Sequence, residues 1–258
     1  VYDTLTSTND KGKELAQNGC ESGTVVIAEE QTAGKGRLGR NWYSPPGSGL
    51  CLSVVLRPHI LPIKSPFMTI TTSLAVLKTL EMAVERLEKL ARCDNRVVKN
   101  NNGFKLKWPN DVLIDGKKIS GILSEMSADM DHIKYVVVGI GINVNQDYFP
   151  DDIGQRATSL KIEYQQTIER RRLLIDLLGS LDEYYYLLLA GKEKILLEIW
   201  KEKLGIIGEE VAIYSSDNVY YGRVLDISDQ GELILKDDKN ISHKFWAGDV
   251  SLRKNSTK

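Results

Sequence analysis

The sequence predicts an α+β fold, a mixed β-sheet flanked by helices and followed by a small β-barrel. Apolar, β-branched strand segments recur as far as Leu204 beside a few long helical stretches, without regular βαβ alternation. Beyond Gly205 the pattern changes to short alternating strands separated by Ser-Asp-Asn and Asp-Gln-Gly turns. Such a stretch of about 50 residues suits a barrel that leans on a larger neighbour for stability. The length of 258 residues accommodates this division, with residues 1–204 as the main domain and 205–258 as the barrel.

Composition narrows the function classes. The chain is 42% apolar and 27% charged, ordinary values for a globular protein. With 34 basic against 35 acidic residues, bulk charge argues against a dedicated nucleic-acid binder, so any basic function is local. Cys20, Cys51 and Cys93 are widely spaced and form no Cys-x-x-Cys, which suggests neither a disulfide framework nor a zinc site. His59, His132 and His243 show no metal-ligand spacing, so no protein-bound metal is expected. No apolar run approaches membrane-spanning length, no signal peptide opens the chain, and a reducing cytoplasm is the expectation. The absent initiator Met leaves open what precedes Val1.

Taken in order, Val1 to Leu5 reads as a short strand. Ser7-Thr8-Asn9-Asp10 caps a helix over Lys11 to Asn18, which Gly19 stops. Capping alone would account for Ser7 and Thr8. Thr24 to Glu29 is a buried strand, as is Leu50 to Leu56, whose apolar context makes Cys51 a core residue rather than a nucleophile. Ser65-Pro66 opens a helix whose apolar residues recur at helical spacing to Ala91. A polar Asn-rich turn, Cys93 to Gly103, leads to a strand from Phe104 to Trp108. Val112 to Ile114 and Lys117 to Met126 pair across Asp115-Gly116. Tyr135 to Val144 is a central strand carrying two glycines suited to close approach, Gly139 and Gly141. A loop from Gln146 to Ser159 precedes two helices, Arg170 to Leu189 and Lys192 to Leu204. The barrel strands are expected at Glu210 to Tyr214, Val219 to Ile227, Glu232 to Leu235 and His243 to Leu252.

The chemistry concentrates between Gln31 and Trp42. Gly34, Gly36 and Gly39 alternate there with Lys35, Arg37 and Arg40. Glycines let backbone turn sharply and approach a ligand closely. Cations this dense repel one another unless an anion neutralises them. A mobile loop closing over a phosphate or carboxylate is the functional reading, against a solvated basic turn. The glycine spacing also matches a dinucleotide-binding pattern, but that pattern needs a helix to open directly afterwards. Asn41-Trp42-Tyr43-Ser44-Pro45-Pro46-Gly47 is turn chemistry instead, and the match is rejected.

Five further segments accompany this loop in a fixed order. They are Ser7-Thr8-Asn9, Lys107-Trp108-Pro109-Asn110-Asp111, Lys118-Ile119-Ser120-Gly121-Ile122-Leu123, Gly139-Ile140-Gly141-Ile142-Asn143 and the stretch from Trp246 to Arg253. Together with Gln31–Trp42, this set resembles the biotin protein ligases along essentially the whole chain, in the form without an N-terminal DNA-binding domain. Each motif alone is weak evidence; the ordered set is specific. The resemblance implies a class-II-synthetase-like catalytic sheet and an SH3-like barrel. It also implies two-step chemistry. Biotin carboxylate attacks the α-phosphorus of Mg²⁺-bound ATP, giving biotinyl-5′-AMP, and a lysine of a biotin carboxyl carrier domain of acetyl-CoA carboxylase or a related carboxylase then takes the biotinyl group.

By the same resemblance Lys107, Arg37 and Arg40 are the catalytic cations, offsetting repulsion between carboxylate and triphosphate. Ser7, Thr8, Asn9, Gln31, Gly34, Lys35, Gly36, Arg37, Lys107 and Gly121 are the biotin-side candidates. Arg37, Arg40, Trp42, Lys107, Asn143 and Ala157 are the ATP-side candidates. Trp42 serves either as a stacking face or as a hydrophobic anchor of the loop. Asp111 is either a base toward the acceptor amine or a turn-capping residue. No enzyme nucleophile is required, because the adenylate is already activated. The labile anhydride calls for a loop that is mobile when empty and closes with ligand, Gln31–Trp42 on one side and Gln146–Ser159 on the other.

Rival readings are a lipoate or octanoate ligase, a DNA-binding repressor and a non-catalytic nucleotide-binding module. The Ser-Thr-Asn set with Gln31 favours a ureido ring over an alkyl chain. Only six residues precede Ser7, leaving no room for a winged helix, so no DNA partner and no membrane partner is expected. A homodimer is compatible with the family, which often pairs through its sheet.

Overall fold

A computed structural model describes residues 1–93, 103–215, 218–246 and 248–252. Most of the Asn-rich turn expected at Cys93 to Gly103, and Ala247 and Arg253 of the C-terminal motif, lie outside the described residues. Seven strands form the main sheet: β1 (Tyr2–Leu5), β2 (Thr24–Gln31), β3 (Leu50–Leu56), β4 (Phe104–Lys107), β5 (Asp111–Ile114), β6 (Lys117–Ala128) and β7 (Ile133–Ile142). Their spatial order is β1-β2-β3-β7-β6-β5-β4, and only β1 and β2 run parallel.

The two faces of this sheet differ because the sequence alternates. In β3, Leu50, Leu52, Val54 and Leu56 join the main core, while Val55 belongs to a small second cluster with Ala16 and Val137. In β7, Val136, Val138, Ile140 and Ile142 face the main core, leaving Val137, Gly139 and Gly141 for the opposite face. That opposite face carries helix α1 (Thr8–Gln17). At Gly12 an added Cβ would stand 2.8 Å from Val137 Cγ1, so the glycine lets the helix pack closely.

The main-core face is covered by α2 (Pro66–Cys93), with α5 (Arg170–Leu189) and α6 (Glu193–Leu204) packed against α2. Buried hydroxyls on α2 return to its own turns, Thr72 donating to Met68 O at 2.7 Å and Thr79 to Ala75 O at 2.7 Å. Trp200 of α6 donates to Ser73 Oγ at 3.0 Å. The stretch Pro62–Arg92 is long and apolar enough to cross a membrane, contrary to the expectation that no such run exists. Most of it is buried inside the fold, where it serves as the core helix.

Several boundaries differ from expectation. α1 begins at Thr8 rather than Lys11; Ser7 sits at the N-cap position but its side chain makes no capping bond. The 146–159 loop contains a short helix, α3 (Asp151–Gly154), and is followed by α4 (Leu160–Tyr164), which Ser159 caps by accepting from Ile162 N. The second sheet comprises β8 (Glu210–Ser215), β9 (Asn218–Ile227), β10 (Leu233–Asp237), β11 (Ser242–Phe245) and β12 (Asp249–Leu252), in the order β11-β10-β9-β8-β12. The single strand expected from His243 to Leu252 is therefore two strands at opposite edges, with the bend at Trp246 between them. Gly205 ends α6 in the left-handed conformation at φ 57°, the C-terminal stop that glycine favours. The second sheet touches the main domain where Trp108 Nε1 donates to Gly231 O at 3.5 Å and where Lys201 pairs with Asp226 at 2.8 Å.

Candidate active site

A cavity of about 430 Å³ opens on the α1 face of the sheet. Two directly paired glycines make its floor. Gly121 of β6 lies opposite Gly141 of β7, and the Trp42 indole rests on that bare backbone. A Cβ on Gly141 would sit 2.4 Å from Trp42 Cε2, and one on Gly121 would sit 3.1 Å from Trp42 Cζ3. Next along β7, a Cβ on Gly139 would fall 2.1 Å from Asn9 Oδ1. The close-approach glycines thus receive two side chains arriving from elsewhere in the chain.

The polar end is built by the start of α1. Ser7, Thr8 and Asn9 are buried and line the cavity, so capping alone does not account for them. Gln31 Oε1 accepts from Thr8 N at 2.8 Å and from Thr8 Oγ1 at 3.1 Å. Asn9 Nδ2 donates to Leu123 O at 3.2 Å and to Glu125 Oε2 at 2.8 Å, while Ser53 Oγ donates to Asn9 Oδ1 at 2.6 Å.

The basic loop folds as a small hairpin over the cavity. Gly36 N donates to Arg40 O at 2.7 Å, and Trp42 N donates to Gly34 O at 2.8 Å. Leu38 and Gly39 take positive φ, 57° and 71°, at its tip. Lys35 Nζ reaches Asp10 Oδ2 at 2.6 Å, tying the loop to α1. Burial pushes the Asp10 carboxyl up, but hydrogen bonds from Lys35 and Lys13 outweigh it and hold the group below its ordinary value. Arg37 Nη1 donates to Asn110 Oδ1 at 2.9 Å, so the loop also meets the turn after β4.

Six cationic side chains line the cavity, Lys35, Arg37, Arg40, Lys107, Lys118 and Arg156, against one carboxylate, Asp111. Lys107 ends β4, ahead of the buried Trp108 that anchors its turn against Gly231. Lys118 Nζ pairs with Asp111 Oδ1 at 2.7 Å and lies 5.5 Å from the Trp42 ring centroid, within cation–π range. In a site of lowered dielectric such an excess of positive charge favours a ligand carrying several negative charges.

Every expected site residue except Gly34 lines this cavity. Gly34 lies behind it, where a Cβ would meet Trp42 O at 2.6 Å, so its part is to let the hairpin close. Asn143 lines the cavity, but its amide is engaged by backbone, Nδ2 donating to Thr158 O at 2.9 Å. It braces the segment carrying Ala157, which bridges to Lys118 beside β6. Lys118 and Arg156 were missing from the expected set. Lys118 stood within a quoted motif, and the parity of β6 against Gly121 offered no direct pointer to it; Arg156 had no signal beyond its place beside Ala157. Cys51 is buried, and burial pushes its thiol up despite the Ser44 hydroxyl 3.1 Å away, so it is no nucleophile.

The biotin/lipoate A/B protein ligase family matches residues 1–143, and the biotin protein ligase C-terminal domain matches residues 206–253. The bifunctional ligase/repressor BirA of Bacillus subtilis is 35% identical over 253 residues, spanning 97% of this chain and 73% of that protein. The biotin–[acetyl-CoA-carboxylase] ligase of Mycobacterium tuberculosis is 32% identical over 89% of this chain and 79% of its own length. Among solved structures, a biotin protein ligase from Aquifex aeolicus in complex with biotin and ATP superposes with a TM-score of 0.78 at 29% identity, over 98% of both chains. The class-II-synthetase-like sheet and SH3-like C-terminal sheet are those of this group. With its motifs, fold and cavity in agreement, the chain belongs to the biotin/lipoate A/B protein ligase family, and within it to the biotin protein ligases.

Proposed function

We propose that this chain joins biotin to ATP as biotinyl-5′-AMP and then transfers the biotinyl group to one lysine of a biotin carboxyl carrier domain of acetyl-CoA carboxylase or a related carboxylase. Residues 1–204 form the catalytic unit and 205–258 back it. The observation that carries this reading is the lining of one cavity, which joins a neutral hydrogen-bonding set, an indole on bare backbone and a cluster of cations.

Biotin's ureido ring lies against Thr8 and Gln31, and its carboxylate points toward Lys107. Trp42 and the braced segment at Ala157 receive the adenosine. A carboxylate oxygen attacks the α-phosphorus, the bond to the β-phosphate oxygen breaks, and pyrophosphate leaves. The Lys107 ammonium, which has no ion-pair partner among the described residues, balances charge on both anions. Arg37 and Arg40 hold the phosphoryl group from the loop side. In the second step the acceptor amine attacks the acyl carbon, the bond to the AMP oxygen breaks, and the amine loses a proton.

Mg²⁺ enters with ATP as part of the substrate. Asp111, a carboxylate of the cavity, is paired with Lys118 at 2.7 Å.

The test is incubation with ATP, Mg²⁺ and a carrier domain, with either biotin or lipoate, reading transfer by mass. A biotin-sized mass increase confined to one lysine is expected; labelling by lipoate alone would refute the reading. The closed hairpin should also resist protease better with biotin and ATP than without them, and equal cleavage would remove the lid role from Gln31–Trp42.

A further inference from the structure

The ligand-facing groups at the polar end have a fixed direction that originates outside the cavity. Glu125 does not line the cavity; it lies behind Asn9 on the site face of β6. A carboxylate can only accept hydrogen bonds. Its contact at 2.8 Å and that of the Leu123 carbonyl at 3.2 Å together turn the Asn9 amide so that Nδ2 faces them and Oδ1 faces Ser53. Ser53 Oγ bridges the two residues, its one proton shared between Asn9 Oδ1 at 2.6 Å and Thr8 Oγ1 at 2.8 Å. The Thr8 proton goes to Gln31 Oε1 at 3.1 Å, and Thr8 keeps a lone pair for the cavity. Gln31 takes both Thr8 bonds on Oε1, while its side chain also bonds the buried Cys51 thiol.

We propose that Glu125 is a positioning residue that holds Asn9, and through Ser53 the Thr8 hydroxyl, in place for a ureido ring. This rests on the biotin reading above. A ureido ring presents N–H donors, the complement of an accepting Thr8. Glu125 is held in turn by Lys13 at 3.0 Å, and Lys13 also contacts Asp10 at 3.2 Å, the residue that anchors Lys35 of the loop. Burial lowers the proton affinity of Lys13, but its bonds to Glu125 and Asp10 prevail and raise it, which keeps the clamp charged. Asn9 itself has no amide hydrogen left for a ligand, so its work is to pass the direction on.

The test compares Glu125→Gln and Glu125→Asp with the parent in biotin-dependent ATP–pyrophosphate exchange. Gln removes the charge that both strengthens the bond to Asn9 and pairs with Lys13, whereas Asp keeps a charged acceptor. Glu125→Gln should raise the KM for biotin about tenfold or more, the loss of one charge-assisted hydrogen bond. The KM for ATP and kcat should stay within about twofold of the parent, and Glu125→Asp should recover most of the biotin affinity. An unchanged KM for biotin in Glu125→Gln overturns the proposal. So does an equal rise for biotin and ATP in both variants together with a lower melting temperature, since that marks a merely structural role. Parent protein inert toward biotin would instead overturn the biotin reading itself.

Discussion

Gly141→Ala tests the glycine floor directly. The added methyl would stand 2.4, 2.6 and 2.7 Å from Trp42 Cε2, Cζ2 and Nε1. Carbon atoms in comfortable contact lie at about 3.5–4.0 Å, so the ring must lift by about 1 Å or more. β7 is central, paired with β3 on one side and β6 on the other, and does not yield. The indole yields instead, carrying the hairpin through the Trp42 N to Gly34 O bond and weakening the contact with Lys118. Overpacking of this kind costs about 1–3 kcal/mol. At about 1.4 kcal/mol per factor of ten, the KM for ATP should rise roughly five- to hundredfold. Biotin-dependent pyrophosphate exchange reads it, with the KM for biotin rising less because Thr8 and Gln31 are untouched. Adding Trp42→Ala should make the two effects strongly non-additive, since the clash then has no ring to strike. A Gly141→Ala protein with the parental KM for ATP and melting temperature would refute the floor.

Two further outcomes follow from other parts of the molecule. Lys107→Ala should cut exchange by about a hundredfold or more with the melting temperature retained, as expected for a lost transition-state cation, and normal exchange would remove Lys107 from the chemistry. Burial pushes the Tyr185 phenol up to about 12, above its ordinary 10, so its contribution to stability is complete below pH 10 and fades as pH rises toward 12. Tyr185→Phe should therefore lose less stability than the parent between pH 10 and pH 12 in denaturant titrations; identical slopes would contradict the burial.

The legible part of the site was the part written as local runs. The loop glycines, the Lys107 turn and the paired glycines announced themselves because backbone conformation and close approach restrict residue type at the position itself. Ser53 and Glu125 did not, because each is an ordinary strand residue whose partner lies far along the chain, Asn9 in both cases. Lys118 and Arg156 were missed for the same reason, since a cation's meaning depends on what the sheet brings beside it. Asn143 was placed on the ATP side, yet its visible bonds hold the 157–158 backbone, a distinction that motif position alone does not make. In the second sheet, the stretch at Trp246 is short enough to read as part of one strand, and the pairing of β11 with β10 and of β12 with β8 separates the two.

The core helix α2 also sets an order of events during synthesis. Its apolar faces leave the ribosome before β4 to β7, and well before α5, which packs along it. At about 5–20 residues per second, the interval between the end of α2 and the completion of α5 is on the order of ten seconds. As that interval opens, the nascent chain displays a segment that meets the length and apolarity of a membrane span before the rest of its sheet and α5 have been made. Chaperone contact on the nascent chain should accordingly begin as α2 emerges and end when α5 arrives, a window that ribosome profiling of chaperone-bound chains would display as a peak with those two edges.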